Sequence, residues 1–211
     1  AETMGLWDKF VVPPLISCAC ATKPIMKQRE KVVPKAKGRV LEIGCGSGTN
    51  FDFYDPLQIE RLYALEPSEG MMKRAKAAAE DLPWADRIEF LEMGAENLPL
   101  DDASIDTAVI TFVLCTIPDW SSALAEVRRV LKPGGRAVIS DIVGSDDVPV
   151  DLQNDPELWS GCISGALRED RFLNAFTEPG FDPPRILKRE EKVWQHVGGI
   201  DFRSMTVEAR K

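Results

Sequence analysis

The sequence predicts an α/β fold, a doubly wound and mostly parallel seven-stranded sheet that ends in a C-terminal antiparallel strand pair. The first observation behind this prediction is that short apolar runs alternate with helical patterns between residues 38 and 142. Such alternation is typical of a parallel sheet with crossover helices. The second observation is that this rhythm stops after Asp141, and that the last residues alternate polar with apolar like a strand.

The elements follow in order along the chain. Residues 6–31 are amphipathic, helical or irregular, and end in the basic cluster KQREK. Two helical patterns follow further along: SEGMMKRAKAAAEDL, for which Ser68 is a good N-cap, and WSSALAEVRRVL, which the turn Lys132-Pro133-Gly134-Gly135 closes. Five apolar segments around these helices predict strands: GRVLEIGCG, RLYALEP, RIEFLEMG, SIDTAVITFVL and GGRAVISDI.

The C-terminal third has a different character. VGSDDVPVDLQNDPE is polar and loop-like, and the helical pattern LREDRFLNAFTEPGF stops at Gly180. RILKREEKVWQHV and DFRSMTVEARK predict the antiparallel pair at the sheet edge. The length of 211 residues, 44% of them hydrophobic, suits a single domain. We divide residues 1–211 into an N-terminal helical lid (1–35), a core (36–142) and acceptor-side helices and strands (143–211).

Charge and cysteine usage limit the partners. The net charge of −8 disfavours a nucleic-acid partner, because an acidic surface repels phosphates. The five irregularly spaced cysteines and the lone His196 match no zinc spacing, so we expect a reduced, cytoplasmic protein without a resident metal ion. The apolar segment FVVPPLISCACA is too short to cross a bilayer, so no transmembrane segment is expected. This segment could form either a lid over a binding site or a peripheral contact with a membrane.

The stretch LEIGCGSGTN, residues 41–50, predicts a strand that ends in a nucleoside-binding loop. Its glycines at 44, 46 and 48 depart from the G-x-G-x-x-G pattern of dinucleotide sites, and no P-loop Lys follows. A ligand without phosphates therefore fits better than NAD. Glu66, at the end of the second predicted strand, is placed to accept hydrogen bonds from a ribose diol.

Four motifs in order carry a family resemblance: VLEIGCGSG, ALEPS, MGAENLPLDDASIDTAVITFVL and ALAEVRRVLKPGG. Together they resemble the class I S-adenosylmethionine (SAM) methyltransferases over about residues 38–142. The resemblance implies their Rossmann-like fold, SAM as cofactor and S-adenosylhomocysteine as its product, so we expect a SAM-dependent methyltransferase.

Carried over to this sequence, the resemblance implies that the glycine loop approaches the methionine part of SAM and that Glu66 binds the ribose. Met71 would pack on the adenine, Ala95 and Glu96 would lie at the adenine edge, and Thr111 and Phe112 would border the sulfonium. Gly94 stands where many relatives have an adenine-binding Asp, so Glu96 or a backbone carbonyl must replace that contact. The full predicted cofactor-binding set is Glu42, Gly44, Cys45, Gly46, Ser47, Asn50, Glu66, Pro67, Met71, Gly94, Ala95, Glu96, Thr111, Phe112 and Val113.

The methyl acceptor is predicted to be a small molecule. The segment VLCTIPDW stands where amine-methylating relatives carry an NPPY-type motif. The N-terminal half and TFVLCTIPD resemble methyltransferase-like proteins that methylate small thiols, and a thiol ionises readily without a strong base. The C-terminal segments ELWSGCISGAL and GIDFRSMTVEARK resemble arsenite methyltransferases, in which Cys162 would match a metalloid-binding cysteine.

A soft nucleophile, with a thiol first, is therefore the expected acceptor, and arsenite is the alternative. Binding of arsenite requires about three thiolates. Phe51 occupies the position at which arsenite methyltransferases have one of these cysteines, so Cys162 would need Cys18 or Cys20 as a further thiolate ligand. A small O- or C-nucleophile such as a quinol, and a non-catalytic SAM-binding module, are further alternatives. Cys162 and His196 are the candidate catalytic residues, and Cys115, Trp159 and Cys162 are the candidate pocket residues, although Cys115 also suits a buried apolar role.

Overall fold

A computed structural model describes residues 23–155, residue 158 and residues 162–211. Most of the predicted N-terminal helical stretch, Cys18, Cys20 and the pocket candidate Trp159 lie outside these residues. The chain divides into two compact units, residues 1–94 and residues 95–211. Within the described residues, no helix is both long and apolar enough to cross a membrane.

The first unit contains the glycine loop. Its helices and strands are α1 (Lys23–Val32), β1 (Gly38–Ile43), β2 (Ile59–Leu65), α2 (Glu69–Ala79) and β3 (Ile88–Leu91). A single 3-10 turn, Phe51–Phe53, follows the loop. The Ser68 hydroxyl accepts a hydrogen bond from the Met71 N–H at 3.4 Å, which confirms Ser68 as the N-cap of α2.

The three strands of this unit are parallel, with β2 between β1 and β3. Because Ile43 pairs with Leu65, and Leu65 with Leu91, all three strands end at the same level. The last four residues of β1 and of β2 are buried. The loops that follow Ile43 and Leu65 therefore lie side by side, which is where open α/β sheets bind ligands.

The second unit is organised around its longest strand, β5. It contains β4 (Ile105–Thr111), α3 (Trp120–Val130), β5 (Leu131–Gly144), α4 (Val150–Gln153), β6 (Leu167–Arg168), α5 (Glu169–Asn174), β7 (Arg185–Arg189), β8 (Gln195–Val197) and β9 (Ile200–Arg210). Parallel β4 and antiparallel β9 flank β5, and β7 pairs antiparallel with β9. The predicted C-terminal antiparallel pair is confirmed.

Three details differ from the sequence prediction. The strand β5 begins at Leu131, directly after α3, so the predicted closing turn lies inside it, where Gly134 adopts φ +75°. The helix α5 covers only Glu169–Asn174 of the longer predicted helix, since its end continues as turns before Gly180. Among the described residues, the two short strands β6 and β8 add to the seven predicted strands.

The buried side chain of Leu62, on β2, provides a direct test of this core. Its exposed fraction is 0%, whereas Leu57, just before the same strand, is 96% exposed. We expect Leu62→Ala to lower the free energy of unfolding by about 2–5 kcal/mol, because it removes buried apolar volume. The matched substitution Leu57→Ala should change it by less than about 0.5 kcal/mol. Urea unfolding measures both, and similar losses in the two variants would contradict the packing of β2.

Candidate functional site

The glycine loop after β1 has a backbone that requires glycine. Gly44, Gly46 and Gly48 adopt φ values of +66°, +57° and +81°, which side-chain-bearing residues rarely adopt. A Cβ atom on Gly48 would lie 2.7 Å from the Phe51 ring. The Met71 side chain closes the loop from one side, with its Cε 3.6 Å from where a Cβ on Gly46 would be. These features leave the backbone accessible to a ligand that approaches closely.

The predicted ribose ligand Glu66 is held against this loop. Its Oε2 accepts a hydrogen bond from the Gly46 N–H at 3.1 Å, and its Oε1 accepts one from the Ser68 N–H at 2.9 Å. Burial raises the pKa of Glu66, and these two hydrogen bonds oppose the rise. Each oxygen keeps a further lone pair, so the fixed carboxylate can accept from a pair of hydroxyl groups.

Glu42 and Asn50, both in the predicted cofactor set, belong to a buried hydrogen-bond network. Glu42 is 1% exposed and accepts from the Asn50 amide and from the Tyr54 hydroxyl, each at 2.8 Å. The Arg29 guanidinium of α1 donates to the Asn50 side-chain oxygen at 2.8 Å. The roles of Arg29 and Tyr54 were not predicted from the sequence. A buried acid at the end of β1 does indicate, however, that hydrogen-bond donors must lie nearby.

The other predicted residues of the first unit differ in exposure. Cys45 is buried, and burial beside Glu42 and Glu66 raises the pKa of its thiol. Ser47 and Gly94 are partly buried, and Pro67 is exposed. Burial alone does not test whether these residues contact a cofactor.

In the second unit, the segment around Ala95 and Glu96 is followed by a loop, residues 97–102, that side chains of α3 hold in place. The Arg129 guanidinium donates to the backbone oxygens of Leu98 and Leu100, both at 2.9 Å, and pairs with Asp102. The Glu126 carboxylate accepts from the Leu98 N–H at 2.8 Å. The ENLPLDD part of the third motif is therefore fixed by side chains of α3.

The end of β4 carries unusual backbone geometry. Thr111 and Phe112 are buried and Val113 is partly buried. Phe112 adopts φ +57°, a strained conformation for a bulky side chain. Its N–H donates to the Ser140 oxygen of β5 at 2.7 Å. Such strain is found preferentially at functional sites.

Two of the predicted pocket residues, Cys115 and Cys162, lie close to Asp141, which was not predicted from the sequence. The side-chain ligand atoms of Cys115, Asp141 and Cys162 all lie within 4.8 Å of one another. The Cys162 thiol also donates to the Phe112 backbone oxygen at 3.6 Å. Asp141 is 1% exposed and accepts from the N–H groups of Leu114 and Ile142 at 2.9 and 2.8 Å.

The electrostatics of this cluster, Cys115–Asp141–Cys162, follow from burial. Desolvation raises the pKa of Asp141 to about 6, and hydrogen bonds from Ile142, Cys115 and Leu114 oppose the rise. The pKa of the Cys115 thiol lies well above its ordinary value, chiefly because of its hydrogen bond with Cys162 and its burial. Asp141 could have been suspected from the sequence, since it is an acidic residue within the mostly apolar run AVISDIV.

His196 lies at the protein surface. Its side chain, on β8, is 64% exposed, and its Nδ1 lies 2.6 Å from the Asp201 carboxylate. The candidate catalytic role for His196 stays a prediction, as does the pocket role of Trp159, which lies outside the described residues.

Comparison with known proteins assigns a family to part of the chain. Residues 41–139 match the family model described as a methyltransferase domain. This stretch is a methyltransferase domain. It contains the glycine loop, Glu66 and the end of β4, whereas the end of β5 lies beyond it.

Two groups of curated relatives match the methyltransferase domain and its surroundings. The arsenite methyltransferase of Halobacterium salinarum is 29% identical over 185 residues, which cover 82% of this chain and 46% of that protein. The Homo sapiens thiol S-methyltransferase TMT1B is 40% identical over 103 residues, which cover 47% of this chain and 41% of that protein. The chain thus spans less than half the length of these relatives.

The architecture also matches a solved structure. The arsenic(III) S-adenosylmethionine methyltransferase CrArsM of Chlamydomonas reinhardtii aligns with a TM-score of 0.75 and 24% identity, covering 94% of this chain and 74% of that one. At this identity the likeness establishes the fold alone. The predicted class I fold is confirmed, and so is the predicted resemblance of residues 41–139 to methyltransferases.

The buried carboxylate of Glu42 makes a pH-dependent contribution to stability. Burial raises its pKa from 4.5 to about 6. The folded protein therefore binds this proton more tightly than the unfolded chain, and its stability falls as the pH rises from about 4.5 to about 6. Relative to Glu42→Gln, which lacks this titration, the wild type should lose about 2 kcal/mol across that window.

Unfolding by urea at several pH values between 4 and 8 measures this difference. The control is Glu60→Gln, an exposed position on β2, which should leave the difference from wild type constant across the window. A difference between wild type and Glu42→Gln that does not change with pH would contradict the buried state of the Glu42 carboxylate.

Proposed function

We propose that this protein transfers the methyl group of SAM to a small soft nucleophile, and that a thiol is the physiological class of acceptor. The observation that carries the proposal is the carboxylate of Glu66, which the Gly46 N–H holds at the edge of the glycine loop at 3.1 Å. That arrangement is suited to a nucleoside with a ribose diol and without phosphates, which is the character of SAM.

The described residues of the first unit fit such a cofactor. Glu66 would accept from the ribose hydroxyls, and the backbone of Gly44 and Gly46 would border the methionine part. Met71, whose side chain is 8% exposed, would pack on the adenine. The predicted contacts from Ala95, Glu96, Thr111, Phe112 and Val113 remain part of the proposal.

When bound, SAM supplies a methyl group that its positively charged sulfur activates. The protein's contribution is to hold the cofactor by Glu66 and the loop, and to keep the acceptor in line with the methyl carbon. A strong base is unnecessary, because a thiol near its ordinary pKa of about 8.5 releases its proton to solvent readily. A new carbon–sulfur bond then forms on the acceptor as the sulfonium carbon–sulfur bond breaks.

Sequence similarity supports a thiol as acceptor. The thiol S-methyltransferase TMT1B shares 40% identity over 103 residues, compared with 29% for the arsenite methyltransferase of Halobacterium salinarum over a longer match. We also propose that residues 1–211 function as one domain, in which residues 1–35 form a lid, and that the protein is cytoplasmic.

Arsenite is the second candidate, because the structure brings Cys115 beside Cys162. Cys18 and Cys20, which were expected to assist Cys162, lie outside the described residues, so Cys115 is a further candidate thiol. Two thiols and a carboxylate could hold a trivalent metalloid. The match to the arsenite methyltransferase also extends over 82% of the chain, further than the match to TMT1B.

Replacing Glu66 tests the cofactor assignment. Glu66→Gln removes the negative charge that accepts from the ribose hydroxyls, and we expect it to weaken SAM binding by about 1.5–3 kcal/mol. This loss corresponds to roughly ten- to hundredfold in Kd. Isothermal titration calorimetry with SAM measures it, with Glu60→Gln as a matched control that should bind like the wild type. Unchanged SAM affinity in folded Glu66→Gln would contradict the ribose assignment.

A panel of acceptors tests the acceptor class. Transfer of a labelled methyl group from SAM should be seen with small alkyl and aryl thiols, and should remain detectable on them in Cys162→Ser. Arsenite with glutathione, and quinols, should give little product. Product on arsenite alone, abolished by Cys162→Ser, would replace a thiol by arsenite as the acceptor. SAM binding without product on any acceptor would favour a non-catalytic SAM-binding module.

A further inference from the structure

We propose that Cys115, Asp141 and Cys162 form a binding site for a thiophilic divalent cation, and that Zn²⁺ is the ion this site selects. A bound ion would link the turn Leu114–Thr116 to the loop at residues 162–166. This inference concerns cation binding by the chain itself, and it stands whether or not the proposed methyl transfer is correct.

The spacing of the three side chains supports a cation site. Their ligand atoms lie within 4.8 Å of one another. In a tetrahedral zinc site with Zn–S bonds of about 2.3 Å, two sulfur atoms lie about 3.8 Å apart. Closing the cluster around one ion therefore requires side-chain movements of about 1 Å or less. Rotation about the Cys115 and Cys162 side-chain bonds can supply them.

The donor set decides which cation is favoured. Two sulfurs and one carboxylate oxygen suit Zn²⁺ or Cd²⁺, whereas Mg²⁺ and Ca²⁺ select sites made of oxygen alone. Three protein ligands would leave the fourth position of Zn²⁺ open to water. On binding, each thiol that becomes a thiolate ligand releases its proton to the buffer.

Asp141 gives a second reason to expect a cation. Its carboxylate is 1% exposed, and the groups that hold it are the backbone N–H groups of Leu114, Cys115 and Ile142 and the Cys115 thiol, all of them neutral. Burying a carboxylate against neutral donors alone is unfavourable. A bound divalent cation would compensate for that loss of solvation.

The backbone around the cluster is held in a fixed and strained geometry. Phe112 and Cys162 adopt φ values of +57° and +58°, and the Cys162 thiol donates to the Phe112 oxygen. The loop also touches the turn directly, because a Cβ on Gly165 would lie 1.8 Å from the Cys115 oxygen. Strained residues persist only where the surroundings enforce them.

The test is titration of the full chain, stripped of metal with a chelator and kept reduced, with Zn²⁺ in the absence of SAM. We expect one Zn²⁺ per chain, and a rise in Tm with Zn²⁺ concentration, because an ion that binds only the folded state stabilises it. Co²⁺ in the same site should show sulfur-to-metal charge-transfer absorption. Mg²⁺ and Ca²⁺ should give no shift in Tm.

Variants decide whether these residues form the site. Cys115→Ser and Cys162→Ser should each weaken Zn²⁺ binding by more than about tenfold, and the charge-transfer bands should decrease. Gly165→Ala keeps all three ligands but separates the loop from the turn, so it should weaken Zn²⁺ binding as well. The control Cys18→Ser/Cys20→Ser should bind Zn²⁺ like the wild type. Thermal unfolding without metal establishes that each variant is folded.

Three results would overturn the proposal. They are the absence of one-to-one Zn²⁺ binding, unchanged binding in folded Cys115→Ser and Cys162→Ser, and loss of binding in Cys18→Ser/Cys20→Ser. None of these measurements involves SAM or turnover, so failure of the cation site and failure of the proposed methyl transfer are distinguishable.

Discussion

A carboxylate buried at the end of β1 is the constraint on which the geometry of the glycine loop depends. Glu42 is 1% exposed, so its oxygens need hydrogen-bond donors from the protein. Asn50 and Tyr54 supply them from the segment after the loop, and Arg29 secures Asn50 from α1. The loop is therefore held in place at both of its ends, and its three glycines keep the positive φ values that its path requires.

The same logic explains the position of Glu66. Parallel strands that end at the same level place the tip of β2 beside the loop after β1. The Gly46 and Ser68 N–H groups then orient the Glu66 carboxylate before any ligand is present. Preorganisation of this kind lowers the cost of binding, because the side chain has little freedom left to lose. The local sheet geometry thus fixes the direction of two carboxylate oxygens at the edge of the loop.

A second buried carboxylate, Asp141, organises the other unit. It fixes the turn after β4 through the Leu114 N–H and lies between two thiols that come from distant parts of the chain. The two buried carboxylates, Glu42 and Asp141, both need hydrogen-bond donors from the protein, and they obtain them from different groups. Glu42 has strong hydroxyl and amide donors, whereas Asp141 relies on backbone N–H groups and a weakly donating thiol. The two sulfur atoms of the Cys115–Asp141–Cys162 cluster are what make it suitable for the soft cation proposed above.

The sequence by itself determined the fold class, the order of strands and helices, the Ser68 cap, the glycine loop after β1 and the position of Glu66 after β2. These follow from hydrophobic periodicity and turn chemistry, which act between residues close together in the chain. Only the tertiary structure decided that Arg29 and Tyr54 serve Glu42, that Cys115 lies beside Cys162, and that Asp141 joins them. Such pairings depend on the path of the chain between distant residues, and neither composition nor spacing records that path.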